Sequence, residues 1–284
     1  MKNTTITILL ATYNGAAFLD EQLNTIANQS WNNIDVLASD DGSSDDTLKI
    51  LEAWKHSWTK GTFRVLKGPQ KGFSENFRHL LCSVENDQTY IAFSDQDDIW
   101  HLDKLHNAIS KLAAFGENTP AMYCSRTRLV DIEGKELGLS PLFSKRPSFE
   151  NALTQSLAGG NTIVLNAAAF RTVRESVKRT DFVSHDWWCY LFLMGTGGHV
   201  YYDPAPQIDY RQHPNNVFGR NTGIKAIWKR IIGIITGDYS KWFGANLQSL
   251  ERNHIFLTEE NYKIIQKLLA ARRSGGLPEV VRFV

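Results

Sequence analysis

Residues Tyr90–Trp100 read YIAFSDQDDIW, and this stretch decides the fold class of the chain. The strand-like residues Tyr90–Ser94 lead directly into three carboxylates, Asp95, Asp97 and Asp98. Carboxylates this close repel one another and resist burial unless a cation or hydrogen-bond donors neutralise them. A divalent ion with oxygen ligands, often shared with substrate phosphates, is the simplest neutraliser. The alternative is an acidic turn in a solvated loop, which is the commoner explanation for an isolated D-x-D.

The residues around this motif favour the metal site. A helix is predicted at about Leu102–Phe115, so the carboxylates stand at the carboxyl end of a strand, where open α/β sheets bind ligands. A second acidic strand end follows the predicted strand Ile34–Ala38, in the run SDDGSSDD at 39–46. The end of that run can cap the next helix. Capping does not account for Asp40 and Asp41, which precede the glycine turn.

The first 115 residues alternate between strand and helix patterns four times, which predicts right-handed crossovers and a parallel sheet. The predicted strands are Ile6–Ala11, Ile34–Ala38, Phe63–Leu66 and Tyr90–Ser94. The predicted helices are about Ala17–Gln29, Thr47–His56, Ser74–Ser83 and Leu102–Phe115. Neither G-x-G-x-x-G nor G-x-x-x-x-G-K-[ST] is present, so a dinucleotide fold and a P-loop are disfavoured. Two acidic strand ends and a metal would hold a diphosphate in another way.

Beyond residue 115 the pattern is less regular. Ala121–Asp131 is predicted to form one strand, and Gly134–Phe149 a hairpin or loop over the site. The remaining predicted elements are the strand Ile163–Leu165, a helix at about Ala167–Lys178, and the short strands Tyr201–Asp203 and Ile208–Tyr210.

Composition sets limits on location and partners. The 284 residues are 42% hydrophobic and 21% charged, which is typical of a soluble globular protein. A net charge of +1 gives no field that would attract nucleic acid. The cysteines Cys82, Cys124 and Cys189 form no C-x-x-C pair, so free thiols in a reducing cytoplasm are expected. The first apolar run is too short for a signal peptide, and no run of 18 apolar residues is present.

Six segments between Ile6 and Asn216 together resemble the inverting family 2 glycosyltransferases with the GT-A fold, most closely the bacterial rhamnosyltransferase-like branch that builds surface polysaccharides. The segments are LLATYNGAAFLDEQLNTIANQ, LASDDGSSDDTLKIL, GFSENF, YIAFSDQDDIWHLDKL, SHDWW and YRQHPNN, in family order. The resemblance implies an α/β, Rossmann-like catalytic domain at 1–220, with a single mostly parallel sheet flanked by helices. Its nucleotide-binding half would be 1–115, its acceptor-binding half 116–220, and a helical region would follow at 221–284.

The resemblance also assigns the donor site. It implies a nucleotide cradle formed by Thr12, Tyr13 and Asn14, with Asp41 on the base or ribose. Asp95 would lie near the ribose. Asp97 would bind Mg²⁺ or Mn²⁺ bridging the diphosphate, and His213 would touch the metal or the pyrophosphate. Taken alone, a residue such as His213 is more often a structural histidine.

The acceptor side of the site is assigned in the same way. The resemblance places Asp186 at the position of the general base, although an aspartate there could equally cap its helix. Trp187 and Trp188 would stack on the acceptor sugar or belong to the core. Further contacts with donor, acceptor or diphosphate would come from Asp98, Trp100 and Arg211.

The implied reaction is the metal-dependent, inverting transfer of L-rhamnose from dTDP-L-rhamnose to a hydroxyl of a lipid-linked glycan, in O-antigen or capsule synthesis. A UDP-hexose donor is one alternative. A sugar nucleotidylyltransferase is a second, but it needs a basic loop after the first strand, and ATYNGAAF has no Lys or Arg. A non-catalytic nucleotide- or glycan-binding module is a third.

The segment Ile224–Thr236, IKAIWKRIIGIIT, combines isoleucines and a tryptophan with Lys225, Lys229 and Arg230. This composition suits a helix lying in a membrane headgroup layer, and equally a helix packed on the catalytic domain. Acceptors of the resembling branch are commonly sugars on a polyprenyl diphosphate, which favours the membrane. The expected location is therefore the cytoplasm, and the segment predicts peripheral attachment to the inner face of the cell membrane.

Overall fold

The computed structural model describes residues 4–213 and 238–273. The strands of these ranges are β1 Ile6–Thr12, β2 Ile34–Asp40, β3 Phe63–Lys67, β4 Tyr90–Ser94, β5 Ile99–Trp100, β6 Ala121–Ser125, β7 Arg128–Val130, β8 Glu136–Leu139, β9 Val164–Leu165, β10 His199–Asp203 and β11 Ile208–Arg211. The α-helices are α1 Leu19–Ala27, α2 Thr47–Ser57, α3 Phe73–Ser83, α4 Lys104–Leu112, α5 Phe149–Thr154, α6 Ala167–Val177, α7 His185–Gly195, α8 Asp238–Arg252 and α9 Glu259–Arg273.

The larger sheet has seven strands in the order β10-β6-β9-β4-β1-β2-β3. β1 to β4 are mutually parallel, and β9 runs antiparallel between β4 and β6. The predicted alternation of four strands and four helices is therefore confirmed. In the register of the sheet, Thr12 pairs with Asp40 and Leu10 with Ser94. The ends of β1, β2 and β4 thus lie side by side, and both acidic strand ends reach the same edge.

Burial on both faces explains why the central strands are apolar throughout. In β1, Ile8 and Leu10 face one core cluster, formed with α1, α2 and α4, and Leu9 faces the other. That second cluster contains α3, α6 and α7, and α8 and α9 add their apolar sides to it. Helices therefore cover both faces of the sheet, as expected for parallel strands. All three cysteines are free thiols.

The prediction of a single sheet is corrected by a second, four-stranded sheet in the order β5-β11-β7-β8. The predicted strand Ala121–Asp131 is in fact two strands in different sheets, β6 and β7. Hydrogen bonds of Arg126 stabilise the break between the two strands. Its backbone N–H donates to the backbone carbonyl of Asp203, and its side-chain Nε donates to that of Ser140. The second sheet depends on pairing between β5 and β11, which are far apart in sequence, so local periodicity gives no signal for it.

Several predictions concern residues outside the described ranges. These are the helix Ile224–Thr236, the residues 214–216 of the RQHPNN segment, and the proposed domain boundary at residue 220. α8 and α9 confirm that the C-terminal part of the chain contains helices. None of the helices in residues 4–213 and 238–273 combines the length and the apolar character needed to cross a bilayer.

A buried carboxylate, Asp209, fixes β11 within the second sheet. Its two oxygens accept hydrogen bonds from Arg128 Nε and Nη2 at 2.7 and 2.6 Å, and His101 Nε2 lies 2.7 Å from Oδ1. Burial raises the pKa of Asp209, but the bonds from His101 and Arg128 outweigh it, so the pKa lies below its usual range. This network joins β11 to the residue that follows β5 and to β7, and thereby places the end of β11.

Replacement of Asp209 by Asn should lower the free energy of unfolding by about 2 kcal/mol at pH 7, because a charged acceptor for two partners is lost. Since the folded-state pKa is lowered, this stability is present above the unfolded pKa of about 4 and is lost as pH falls through the folded pKa. Urea unfolding of wild type and variant at pH 7 and pH 3.5 measures both effects. Glu259→Gln, which removes an exposed ion pair with Lys263, is the matched control and should cost less than about 0.5 kcal/mol.

Candidate active site

The acidic loop after β4 meets the end of β11. Asp97 Oδ2 lies 2.7 Å from Nε2 of His213, although the two residues are 116 positions apart. Their side chains retain only 14% and 11% of their exposure. The imidazole of His213 also stacks on Phe18, with ring centroids 5.2 Å apart. The structure therefore brings together the two residues that the sequence assigns to the metal.

Arg211 is buried beneath this loop. Its Nε donates to the backbone carbonyl of Asp97 at 3.1 Å, Nη1 to that of Ile132 at 2.8 Å, and Nη2 to the carboxylate of Glu21 at 2.6 Å. Its guanidinium carbon lies 5.0 Å from the ring centre of Phe18. These contacts give Arg211 the role of holding the acidic loop. Phe18 and Glu21 lie in the segment LLATYNGAAFLDEQLNTIANQ, but the sequence assigns no role to either.

Asp95 carries the electrostatic strain of the site. Burial, followed by repulsion from Asp97 and then from Asp186, raises the pKa of Asp95 to about 7. Because Asp186 contributes to this repulsion, the carboxylates of Asp186 and Asp95 lie within electrostatic reach of each other. Asp186 stands in the first turn of α7, and its Oδ2 accepts a hydrogen bond from Ser156 Oγ at 3.1 Å. The N-cap position of α7 belongs to Ser184, so Asp186 is not the capping residue.

The predicted nucleotide cradle follows β1 and is attached to the turn after β2. Thr12 Oγ1 donates to Asp40 at 3.0 Å, and Asp40 also accepts the backbone N–H of Ser43 at 2.8 Å. Asn14 adopts a left-handed backbone with φ of 48°, and its Oδ1 accepts the backbone N–H of Ser44 at 2.9 Å. Thr12, Asn14 and Asp40 therefore shape the loop, which answers the question that the sequence left open for Asp40.

A cleft of about 380 Å³ opens beside this loop, lined by Tyr13, Asp41, Gly42, Gln70 and Gly72. Tyr13 is 57% exposed. Asp41 is nearly buried, and its two oxygens accept the backbone N–H groups of Gln70 at 2.6 Å and Gly72 at 2.7 Å. Gly72 opens the segment GFSENF, but the sequence assigns no part of the cleft to it or to Gln70, so their contribution comes from the structure.

Asp98 and Trp100 lie in the core. Asp98 is fully buried and accepts a hydrogen bond from Asn161 Nδ2 at 2.6 Å, while Nζ of the fully buried Lys104 stands 3.4 Å from the ring centre of Trp100. Burial, then repulsion from Asp97 and Asp95, raises the pKa of Asp98. Burial lowers that of Lys104 to about 7. Neither Asp98 nor Trp100 has surface with which to contact a sugar, so the structure corrects this prediction. Lys104 lies in the segment YIAFSDQDDIWHLDKL and Asn161 lies outside the six segments, and the sequence assigns a role to neither.

The segment SHDWW exposes little besides its aspartate. Trp188 is completely buried and its indole donates to Ser176 Oγ at 2.9 Å. Trp187 is 7% exposed and donates to the backbone carbonyl of Ala152 at 2.7 Å. His185 is buried against Phe77, with ring centroids 3.8 Å apart. The structure therefore favours the core interpretation of both tryptophans over stacking on an acceptor sugar.

The donor set of the site fits a hard divalent ion. A carboxylate and an imidazole, Asp97 and His213, already face each other at hydrogen-bond distance. The carboxylate suits Mg²⁺ and Mn²⁺ alike, and the imidazole nitrogen favours the transition-metal ion Mn²⁺. The described residues contain no cluster of three His, Cys, Asp or Glu that would enclose a metal. A site with two protein ligands suits an ion shared with substrate phosphates. The raised pKa of Asp95 marks negative charge that a cation would neutralise.

Comparison with known proteins shows the family of the chain. The sequence model described as glycosyl transferase family 2 matches residues 7–177. The chain belongs to this family. It is 32% identical over 248 residues to the dTDP-rhamnosyl transferase RfbG of Shigella flexneri, covering 82% of this chain and 80% of the relative. It is 23% identical to the uncharacterized glycosyltransferase RP339 of Rickettsia prowazekii, covering 90% of this chain and 81% of the relative.

Solved structures confirm the GT-A fold of this glycosyltransferase. S. aureus TarS 1-349 in complex with UDP-GlcNAc superposes with a TM-score of 0.55 at 17% identity, over 75% of this chain and 60% of that chain. The mannosyltransferase PcManGT from Pyrobaculum calidifontis, in complex with GDP-Man and Mn²⁺, superposes with a TM-score of 0.51 at 16% identity. The superposition covers 99% of this chain and 83% of that chain. At these identities the likeness concerns the fold alone.

The raised pKa of Asp95 predicts a measurable pH dependence. In the folded chain Asp95 holds a proton that the unfolded chain releases near pH 4, so stability is present at pH 4 and is lost as pH rises through about 7. Without divalent ions, Asp95→Asn should therefore be more stable than wild type at pH 8, by about 2 kcal/mol. Urea unfolding between pH 4 and pH 8 in the presence of a chelator measures the difference.

The difference between Asp95→Asn and wild type should grow across that pH range. Asp103→Asn, which changes an exposed aspartate near the start of α4, should show no such growth. A constant difference for Asp95→Asn would mean that Asp95 ionises as an ordinary carboxyl.

Proposed function

We propose that this glycosyltransferase moves L-rhamnose from dTDP-L-rhamnose to a hydroxyl of a lipid-linked glycan, with inversion and with Mg²⁺ or Mn²⁺, in the synthesis of a bacterial surface polysaccharide such as O-antigen or capsule. The observation that carries the reaction is the contact of Asp97 with His213 at the carboxyl end of β4, near the cleft of Tyr13 and Asp41. The donor sugar is supported by the 32% identity with a dTDP-rhamnosyl transferase.

The cleft takes the nucleoside. Tyr13 offers an exposed ring on which a base can stack, as aromatic residues do with nucleobases. Asp41 accepts two backbone N–H bonds, and a carboxylate has about four acceptor positions, so lone pairs remain for a base N–H or a ribose hydroxyl. Asp95, which follows β4, would contact the ribose. Gln70 and Gly72 complete the lining of the cleft.

Asp97 and His213 would hold the divalent ion against the diphosphate. The ion supplies electrostatic stabilisation of the charge that develops on the departing diphosphate. Arg211 and Phe18 hold these two ligands in place, Arg211 through the carbonyl of Asp97 and Phe18 through the ring of His213. This division leaves Arg211 as a support of the site.

Asp186 acts as the general base. The acceptor oxygen forms a bond to the anomeric carbon from the face opposite the phosphate, the bond from that carbon to the phosphate oxygen breaks, and the nucleoside diphosphate departs. The hydroxyl proton passes to the carboxylate of Asp186, which Ser156 Oγ orients through its hydrogen bond. One inversion at the anomeric carbon results.

A UDP-hexose donor is the alternative within the same reaction, because the GT-A fold accommodates different nucleotides: the TarS structure contains UDP-GlcNAc and the PcManGT structure GDP-Man. The nucleotidylyltransferase and the non-catalytic module are disfavoured by the family membership. The loop that follows β1 contains no Lys or Arg for a triphosphate.

Calorimetric titration with dTDP-rhamnose, UDP-glucose and UDP-GlcNAc, with and without Mn²⁺, tests the donor site. Wild type should bind dTDP-rhamnose in the presence of Mn²⁺, and Asp97→Ala and His213→Ala should lose the Mn²⁺-dependent part. Asp103→Ala, an exposed aspartate outside the site, is the control and should bind as wild type does. Preference for a UDP-sugar would remove the rhamnose proposal, and absence of any nucleotide binding would remove the donor site.

Asp186→Asn separates binding from chemistry. The variant should bind the donor within about twofold of wild type and transfer sugar at least about 100-fold more slowly, because a general base contributes that much. Single-turnover release of nucleoside diphosphate in the presence of acceptor measures the rate. Full transfer activity would remove Asp186 from its role as the base.

Peripheral binding to the inner face of the membrane completes the proposal, because a lipid-linked acceptor lies there. Flotation with vesicles of anionic phospholipid should recover wild type, and replacing Lys225, Lys229 and Arg230 by Gln should reduce that recovery several-fold. The matched control replaces three exposed lysines elsewhere by Gln, namely Lys55, Lys178 and Lys263. Equal recovery of all three proteins would remove the membrane role of this segment.

A further inference from the structure

Gln96, the middle residue of the D-Q-D motif, makes two well-formed hydrogen bonds to one residue of the nucleotide cradle. Its Oε1 accepts the backbone N–H of Tyr13 at 2.9 Å, and its Nε2 donates to the backbone carbonyl of Tyr13 at 3.0 Å. A side-chain amide offers one acceptor and one donor side by side, so it pairs with Tyr13 as a neighbouring strand would. Neither the metal nor the general base requires this contact.

Gly15 makes room for the glutamine. A Cβ added to Gly15 would lie 2.2 Å from Oε1 and 2.4 Å from Cδ of Gln96. Gly15 is not among the residues with a left-handed backbone, so its conformation suits an L-residue. The glycine is therefore required by the space that the Gln96 side chain occupies.

The next three residues of this loop are hydrogen-bonded away from the acidic loop, to the segment that follows β2. Asn14, Gly15 and Ala16 donate their backbone N–H groups to side chains of the turn after β2 and of α2, namely Ser43, Thr47 and Asp45. Tyr13 is thus the point at which the cradle is joined to the acidic loop. Because the backbone of Tyr13 is held there, its ring is held against the cleft that it lines.

We propose that Gln96 is a positioning residue for the nucleobase: it fixes the backbone of Tyr13 so that the exposed ring forms one wall of the base cleft. Gly15 leaves the space that the Gln96 side chain needs for this role. The inference rests on the proposed donor site and adds to it a role for the variable position of the D-x-D motif. Gln96 acts on donor affinity through Tyr13 and takes no part in the bond-making step.

Four proteins test the proposal: wild type, Gln96→Ala, Gly15→Ala and the double variant. Calorimetry gives the dissociation constant of dTDP with Mn²⁺. Each single variant should bind dTDP roughly tenfold more weakly, because two hydrogen bonds that hold Tyr13 are lost. The double variant should also bind roughly tenfold more weakly, since the new methyl group meets no glutamine side chain. Independent effects would multiply to about 100-fold and would overturn the proposal.

Inorganic pyrophosphate distinguishes base positioning from general damage to the acidic loop. Its Mn²⁺-dependent affinity should stay within twofold of wild type in all variants, and the donor KM should rise with little change in kcat. Equal losses of dTDP and pyrophosphate affinity would overturn the role assigned to Gln96. Unchanged affinities for both compounds would also overturn it. Gln266→Ala, an exposed glutamine of α9, is the matched control and should leave both affinities unchanged.

The proposed function fails in a different way. If wild type binds pyrophosphate with Mn²⁺ and no nucleotide, the base cleft and the role of Gln96 are removed, and the metal site remains. If wild type binds neither compound, the donor site itself is wrong and the positioning role goes with it. Wild-type binding of both, with unchanged dTDP affinity in Gln96→Ala, removes only the positioning role.

Discussion

Repulsion among the carboxylates at the end of β4 is the constraint on which the rest of the site depends. Each of the three acids is accommodated differently. Asp98 is buried with a hydrogen bond from Asn161 and is attracted by the charge of the buried Lys104, and Asp97 meets His213. Asp95 keeps the residual strain as a raised pKa. A group of acids that remains partly unneutralised in the folded chain costs stability, and such a cost is typical of functional sites.

The second sheet completes this arrangement by placing the residues that contact the acidic loop. β11 contains Asp209 and ends at Arg211, and His213 follows two residues later. This short strand therefore brings both the support of the acidic loop and the partner of Asp97 to the site. In some proteins a buried ionic network contributes more to a unique geometry than to stability. In this chain the network of Asp209 fixes the geometry of the site. The pairing of β11 with β5, which immediately follows the acidic loop, makes the same connection through the backbone.

The proposed donor side is built from loops that depend on one another. The cradle after β1 is bonded to the turn after β2 through Asn14, and that turn is bonded through Asp41 to the loop before α3. Gln96 joins the cradle to the acidic loop. Loops at the edge of a rigid parallel sheet can be varied without loss of the fold, which is consistent with the different nucleotides found in the solved GT-A neighbours.

The parallel α/β core, the position of both acidic strand ends and the family are predictable from the sequence, because they follow from periodicity and from contiguous motifs within single elements. Which side chains of those motifs face the site depends on the packing of distant segments. Trp187, Trp188 and Asp98 share motifs with reactive residues and yet lie in the core, because burial depends on elements packed from elsewhere in the chain. The second sheet, and Gln96 with Gly15, likewise arise from contacts between distant segments, for which local sequence carries no periodic signal.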